Sequence, residues 1–380
     1  MNKNFHLFLS QVFIAALLGS SMVLASPVAY TVRDLGSLGG SYGIPVSINN
    51  SGQVVGDSLT SGDFSVRATL FGSTPSGNLD MGAIGGINSH TTGINSQGRI
   101  TGYAQTSLGE NRAVLFNIAG GSSADLGTLG GTSSFATGIN DNGTVVGYSR
   151  LANGETRATL FSTSGGVNMN LGTLGGNQSH ALAINNEGQI IGDSSTASGV
   201  HATMFGMNGI NIDLGTLGGS MSSARAINDV GQVVGRAMLP GDSVEHAVLF
   251  GMSGAANIDL GTLGGTHSFA NAINNAGQVV GYDAGRNDAF IWQSGVMMSL
   301  DLLIDTASEW DLIYALDIND RGQIAAYGFD RRTGAIHGLL LSANENGQIS
   351  EPSSGALFAI ALILVVATRS TASITRRRLS

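Results

Sequence analysis

The segments Asp125-Leu126-Gly127-Thr128-Leu129-Gly130-Gly131, Ile139-Asn140-Asp141-Asn142-Gly143-Thr144-Val145-Val146-Gly147 and Arg157-Ala158-Thr159-Leu160-Phe161 make up one cycle of a pattern that decides the fold. Its Ile-Asn pair returns at Ile48-Asn49, Ile94-Asn95, Ile139-Asn140, Ile184-Asn185, Ile227-Asn228, Ile273-Asn274 and Ile318-Asn319, with spacings of 46, 45, 45, 43, 46 and 45 residues. So even a pitch marks stacked copies of one supersecondary unit.

Each unit carries four short strand signals separated by Gly, Asn and Ser clusters. The first strand leads into Ile-Asn, and its alternate positions are small (Ala136, Gly138, Ala183, Ala226, Ala272), as a crowded innermost strand requires. The second is Gln-Val-Val-Gly or a variant, at Gln53 to Gly56, Thr144 to Gly147, Gln189 to Gly192, Gln232 to Gly235 and Gln278 to Gly281. Between them, Asn140-Asp141-Asn142-Gly143 and its equivalents read as tight hairpins whose glycine supplies a positive φ. The third strand runs from a basic or polar residue through Ala to an aromatic, as in Arg67 to Phe71, Arg112 to Phe116, His201 to Phe205, His246 to Phe250 and Asp288 to Trp292, with a degenerate copy at His337 to Leu341. The fourth ends in Asp-Leu-Gly before Thr-Leu-Gly-Gly crosses to the next unit.

Four strands in a mid-forties period match the blade of a β-propeller. Fourth-strand signals fall at Asp34, Asp80, Asp125, Asn170, Asp213, Asp259 and, degenerately, Asp301, so one precedes the first Ile-Asn pair. The simplest closure is an all-β, seven-bladed propeller in which Tyr30 to Gly36 becomes the outer strand of the last blade. An open β-solenoid is the alternative architecture; it needs protected ends and leaves the offset unexplained.

Composition narrows function more than it names it. Only 11% of the 380 residues are charged, and between Ser26 and Ser350 twelve arginines face twenty-five acidic residues, a net charge of −13. That surface disfavours DNA and anionic lipid, so no nucleic acid is expected as a partner, and it leaves neutral glycans, cations and proteins. Zero cysteines exclude disulfides and zinc-thiolate centres.

Both ends read as addresses. Lys3, the apolar stretch Phe5 to Leu18 and Val23-Leu24-Ala25 form a secretory signal peptide over residues 1–25. The propeller is assigned to 26–345. Residues 346–380 then carry Glu351-Pro352-Ser353-Ser354, a hydrophobic helix spanning the membrane over 355–374, and a basic tail with Arg376, Arg377 and Arg378, which the positive-inside rule keeps cytoplasmic. This tripartite tail resembles the PEP-CTERM sorting signal. The resemblance implies export in a Gram-negative bacterium through an inner-membrane intermediate, with an exosortase-type sorting enzyme as partner and the cell surface or extracellular matrix as destination.

The repeat itself, with His201-Ala202-Thr203, His246-Ala247-Val248 and Asp288-Ala289-Phe290 beside its Asp-Leu-Gly-Thr-Leu-Gly-Gly and Ile-Asn-Asn-x-Gly-Gln-Val-Val-Gly motifs, resembles the HAF repeat of extracellular bacterial proteins. That family brings no activity to carry over.

Two rings of positions are candidates for function. Arg67, Arg112, Arg157, His201, His246 and His337 head third strands, facing Asp80, Asp125, Asn170, Asp213, Asp259 and, by closure, Asp34. Cross-strand pairs explain them more simply than a ligand does, although Asp288 against Asp301 breaks the pairing. Four residues before each Ile-Asn isoleucine lie Ile44, His90, Phe135, His180, Ser223, Phe269 and Tyr314. Of these, His90, Phe135, His180, Phe269 and Tyr314 are the candidate ligand-binding residues, suited to stacking a sugar at one mouth of the channel, with rim packing as the bland reading. Turn chemistry accounts for the Asn-rich loops without calcium, and no cofactor or metal is expected. Near-identical blades do not supply the unlike groups that catalysis needs, so the expectation is a non-catalytic structural or binding module. The alternative is a secreted polysaccharide-acting enzyme with its site at the channel mouth, helped by the acidic last unit of Glu309, Asp311 and Arg331.

Overall fold

The structure, a computed structural model, describes residues 30–343 apart from 119–121 and 253–254. They form seven four-stranded antiparallel sheets, each numbered from the channel outward in chain order except at the seam. Blade 3 is typical, with strands Gly130–Ile139, Val145–Leu151, Thr156–Phe161 and Met169–Asn170. Its inner hairpin closes where the sequence places it: Gly143 N donates to Asn140 O at 2.9 Å, with Gly143 at φ 77°.

Closure follows the predicted route and excludes the solenoid. Blade 7 takes Trp310–Ile318, Ile324–Asp330 and Ile336–Ala343 from the end of the domain and Tyr30–Asp34 from its start. Tyr30 pairs with Ala343 and Asp34 with Leu339, so the chain ends clasp each other through a β ladder. The outer strands are short, in several blades two residues long, which leaves little unpaired edge.

One expectation is corrected in blade 6. Its fourth strand is Val296–Ser299, and Asp301 lies beyond it in a single 3₁₀ turn, Leu300–Leu303. A two-residue turn, Ser294 (φ 52°) and Gly295 (φ 86°), shortens the hairpin so that the strand arrives early. Asp301 therefore lies outside the ladder that holds Asp288, although the Asp288 charge still reaches it. Its Oδ1 accepts from Leu312 N at 2.8 Å, while Asp288 pairs with Arg286 Nε at 2.9 Å.

The core lies between blades. Val55, Ala68 and Met81 of blade 1 pack on Ile94, Ile100 and Phe116 of blade 2, and Leu35, Ile48, Val54 and Phe71 meet Ala325 and Leu340 across the seam. The third-strand alanines Ala68, Ala113, Ala158, Ala202, Ala247 and Ala289 are fully buried, because the next blade's inner strand leaves room for nothing larger. A serine pins the first five of these contacts: Ser89 Oγ accepts from Ala68 N at 3.0 Å, Ser134 Oγ accepts from Ala113 N at 2.9 Å and donates to Gly127 O at 2.6 Å, and Ser179, Ser222 and Ser268 repeat the latter arrangement.

The hydrophobic C-terminal helix, the signal peptide and the sorting residues Glu351, Pro352, Arg376, Arg377 and Arg378 lie outside the described residues. Among the described residues no helix is long and apolar enough to cross a membrane.

Candidate ligand-binding channel mouth

The two mouths of the channel are built on opposite plans. At one, the Ile-Asn pairs surround a cavity of about 210 Å³. Each asparagine is nearly fully buried, and its Nδ2 donates to the main-chain oxygen of the next blade's asparagine: Asn49 to Asn95, Asn95 to Asn140, Asn140 to Asn185, Asn185 to Asn228, Asn228 to Asn274, Asn274 to Asn319 and Asn319 back to Asn49, all at 2.9 to 3.1 Å. The Oδ1 atom caps the hairpin, as when Thr144 N donates to Asn140 Oδ1 at 2.9 Å. Just outside, Asn186 Nδ2 donates to both Asp141 and Asp229 at 3.1 Å, and Asn275 likewise bridges Asp229 and Asp320. These polar groups satisfy one another, so this mouth is a structural ring.

At the level of the inner strands toward the opposite mouth, a bulge in each first strand turns the predicted ring into something else. The extra residue is Val46, Thr92, Thr137, Leu182, Arg225, Asn271 or Leu316, skipped in the pairing register. Before the bulge, the ring residue's carbonyl tips over the glycine of the second strand. A Cβ on Gly56, Gly102, Gly147, Gly192, Gly235 or Gly281 would collide with the carbonyl of Ile44, His90, Phe135, His180, Ser223 or Phe269. In these six blades the bulge requires the glycine of Gln-Val-Val-Gly beside it, whereas blade 7, with a second register shift between Leu312 and Tyr314, carries Ala326 there.

The register also sets each ring residue against the residue after that glycine: Ile44 with Asp57, His90 with Tyr103, Phe135 with Tyr148, His180 with Asp193, Ser223 with Arg236 and Phe269 with Tyr282; in blade 7, where Ala326 replaces the glycine, Tyr314 faces Tyr327. The result is a half-buried belt. His90 Nδ1 is 2.6 Å from Asp57 Oδ2 and its ring stacks on Tyr103 at 4.6 Å. Tyr103 meets Phe135 at 5.0 Å, Phe135 stacks on Tyr148 at 4.9 Å, and Tyr148 sets its edge to His180 at 4.8 Å. His180 Nδ1 contacts Asp193 at 2.8 Å, and Ser223 Oγ donates to Asp193 Oδ2 at 3.0 Å. A second arc continues from Arg236, 5.6 Å above Phe269, through Tyr282 and Tyr314 to Tyr327, with centroid separations of 4.7, 3.9 and 4.7 Å.

Burial, then the nearby Asp57 charge, pushes the Tyr103 phenol up to about 12; burial and Tyr314 do the same to Tyr282. Burial raises Tyr148 and Tyr327 too. Each phenol therefore keeps its proton at neutral pH and can donate a hydrogen bond. Beside Phe135 and Tyr148, Asn111, Ser133, Arg150 and Thr156 complete a cavity of about 310 Å³.

All five predicted binding residues, His90, Phe135, His180, Phe269 and Tyr314, are brought together in this belt. Sequence reading missed their partners Asp57, Tyr103, Tyr148, Asp193, Arg236, Tyr282 and Tyr327. The signal was present: the position four residues after the Gln of Gln-Val-Val-Gly and its variants varies between Asp, Tyr and Arg while its surroundings repeat.

The first candidate ring resolves into pairs within blades. Arg67 and Arg112 lie 3.8 Å from Asp80 and Asp125, and His201, His246 and His337 lie 2.7 to 2.9 Å from Asp213, Asp259 and Asp34. The acidic partner has a second duty, since Asp125 Oδ1 accepts from Gly127 N at 2.8 Å to shape the crossing turn. Asn170 retains only this duty, accepting from Gly172 N, and Arg157 turns to Glu155 at 2.7 Å. The acidic last unit makes no deep pocket: Arg331 pairs with Asp311 at 3.4 Å and Arg332 with Glu309 at 3.3 Å, all four side chains more than half exposed. Among the described residues no group of three His, Asp or Glu side chains is placed to hold a metal ion.

Fold and site together define a seven-bladed β-propeller with one self-satisfied mouth and one mouth of unlike side chains. No protein-family model matches the chain, and a search of curated proteins returns no match. Solved propellers are similar in fold. TolB from Acinetobacter baumannii aligns at 11% identity and TM-score 0.41, covering 66% of this chain and 64% of that one. A virginiamycin B lyase from Staphylococcus aureus with quinupristin aligns at 11% and 0.48, covering 82% and 99%. A gluconolactonase from Xanthomonas campestris aligns at 9% and 0.40, covering 86% and 94%.

Proposed function

We propose that this is an exported, non-catalytic surface propeller that binds a glycan at its aromatic mouth and is sorted by an exosortase-type enzyme through its C-terminal segment. The observation that carries the binding role is the belt itself. The run from His90 through Tyr103, Phe135 and Tyr148 to His180, answered by Phe269, Tyr282, Tyr314 and Tyr327, offers ring faces for the C–H faces of sugars and protonated phenols for their hydroxyls. These side chains differ from blade to blade, whereas the residues that hold the fold repeat.

The addresses rest on the N-terminal signal pattern and the Glu351-Pro352 and Arg376-Arg377-Arg378 elements. One observation favours the second reading, a secreted polysaccharide-acting enzyme. Asp57 with His90 and Asp193 with His180 are carboxylate-imidazole pairs on the same mouth, of the kind that serve general acid-base chemistry.

One experiment separates the two. The full chain, purified in detergent, is tested on an array of bacterial exopolysaccharides and envelope glycans, and each hit is assayed for released reducing ends. Binding that is lost in Phe135→Ala and Tyr148→Ala without release supports the binding module. Release that is lost in Asp193→Asn establishes the enzyme, and silence across the array removes the glycan reading.

A further inference from the structure

The belt is interrupted at blade 5, and the interruption is positive. Where other blades place aromatic rings or carboxylates, blade 5 has Ser223 against Arg236, and at its bulge Arg225 stands where the other blades have Val46, Thr92, Thr137, Leu182, Asn271 and Leu316. Three of those equivalents, Thr92, Thr137 and Asn271, use their side chains to bond the next blade's inner strand, at 2.9, 2.9 and 2.8 Å. Arg225 makes no hydrogen bond or ion pair among the described residues; its side chain is solvent-accessible although surrounding protein partly encloses its charged end. Its charge acts on Tyr148 in blade 3, Asp193 in blade 4, Arg236 and Glu245 in its own blade and Tyr282 in blade 6, so it sits between the two aromatic arcs.

The neighbouring carboxylates are engaged elsewhere. Asp193 holds His180 and Ser223, and Glu245 lies 3.4 Å from Arg236. Enclosure by the channel wall, then the like charge of Arg236, lowers the proton affinity of Arg225. Arg225 and Arg236 thus place two like charges on the same stretch of the belt, only Arg236 having a carboxylate partner, and a planar guanidinium fork suits a carboxylate or sulfate.

We propose that the mouth selects acidic sugars, with Arg225 and Arg236 gripping the anionic group of one residue while neighbouring sugar rings lie along Phe135 and Tyr148 on one side and Phe269 and Tyr282 on the other. This inference rests on the glycan-binding reading above and adds the charge class of the ligand. It assigns no reaction.

The test measures binding of the full chain to three probes by calorimetry: oligogalacturonate, a sulfated carrageenan oligosaccharide and neutral cellohexaose. The expected result is that one or both acidic probes bind roughly tenfold or more tightly than cellohexaose at low salt, as charge-assisted bidentate contacts allow. Arg225→Gln erases that preference and Arg225→Lys restores part of it, with the melting temperature unchanged because Arg225 supports no contact of the fold. Which acidic probe leads identifies carboxylate or sulfate as the natural group. If cellohexaose binding depends on Phe135 and Tyr148 while Arg225→Gln leaves acidic binding untouched, the acidic preference is overturned and the glycan reading stands. If no probe binds, both readings fall.

Discussion

The two mouths of the channel are made from strands of the same repeat, yet one turns its polar groups inward on itself and the other presents them to the channel. At the Ile-Asn mouth the same asparagine recurs in all seven blades, each bridging to its neighbour, and the loop residues around it, Ser96 apart, alternate Asn and Asp in mutual hydrogen bonds. At the belt mouth no two adjacent blades present the same pair. Repetition is what lets a ring of identical donors and acceptors close on itself, so the repeated positions carry stability. Variation is what a ligand can read.

The glycine that joins the two regions is the sharpest place to break the comparison. Gly192→Val sets a branched side chain against the His180 carbonyl and the Ala181 backbone, and the bulge cannot flatten without rotating the ring residues. A loss of about 3 kcal/mol or more is expected by chemical denaturation. An unchanged midpoint would mean that the bulge is not a requirement of the fold.

Next in size is the seam between blades 1 and 7. Asp317 occupies the small-residue position of the inner strand and accepts from Ser47 Oγ at 2.8 Å and from the amides of Ile48 and Ile318 at 2.9 Å. Burial dominates those bonds and lifts its carboxyl from 3.8 to about 6. The folded state then holds the proton more tightly than the unfolded chain. Its contribution is complete below the unfolded value and is lost as pH rises through about 6, by at most roughly 3 kcal/mol and less where channel water reaches the group. Between pH 4 and 7 the denaturation midpoint of the wild type should fall as pH rises while that of Asp317→Asn follows a flatter profile. Identical slopes would remove Asp317 as the titrating group.

Asn140→Ala deletes a buried amide that bridges two blades and caps its own turn, leaving Asn185 O and Thr144 N without that partner. About 2 kcal/mol of stability should be lost with glycan affinity unchanged. A large affinity loss at constant stability would reverse the roles assigned to the mouths. The smallest effect is expected at the exposed pair of Arg332 and Glu309, where Glu309→Ala should shift stability by less than about 0.5 kcal/mol and leave binding intact. A larger change would revive the last unit as a site.

Much of this molecule was legible in the chain. The even Ile-Asn spacing, the Asn-Asp-Asn-Gly hairpin and the spare strand at Tyr30 determined seven blades, four strands each and the closing clasp, because turn chemistry and strand period are local and the repeat writes them seven times over. The five belt residues were also found, since a variable position inside a fixed frame stands out. The tertiary structure alone decided that the buried asparagines tie blades together as well as shaping turns, that Tyr103, Tyr148, Asp193 and Tyr282 complete the belt, that Asp301 falls outside its strand, and that Arg225 stands unpaired in the channel. Each of these depends on contacts between residues about one blade apart in sequence, or on a one-residue bulge or a shortened turn, and neither the angle at which closure brings blades together nor a single-residue shift in register is encoded by periodicity along the chain.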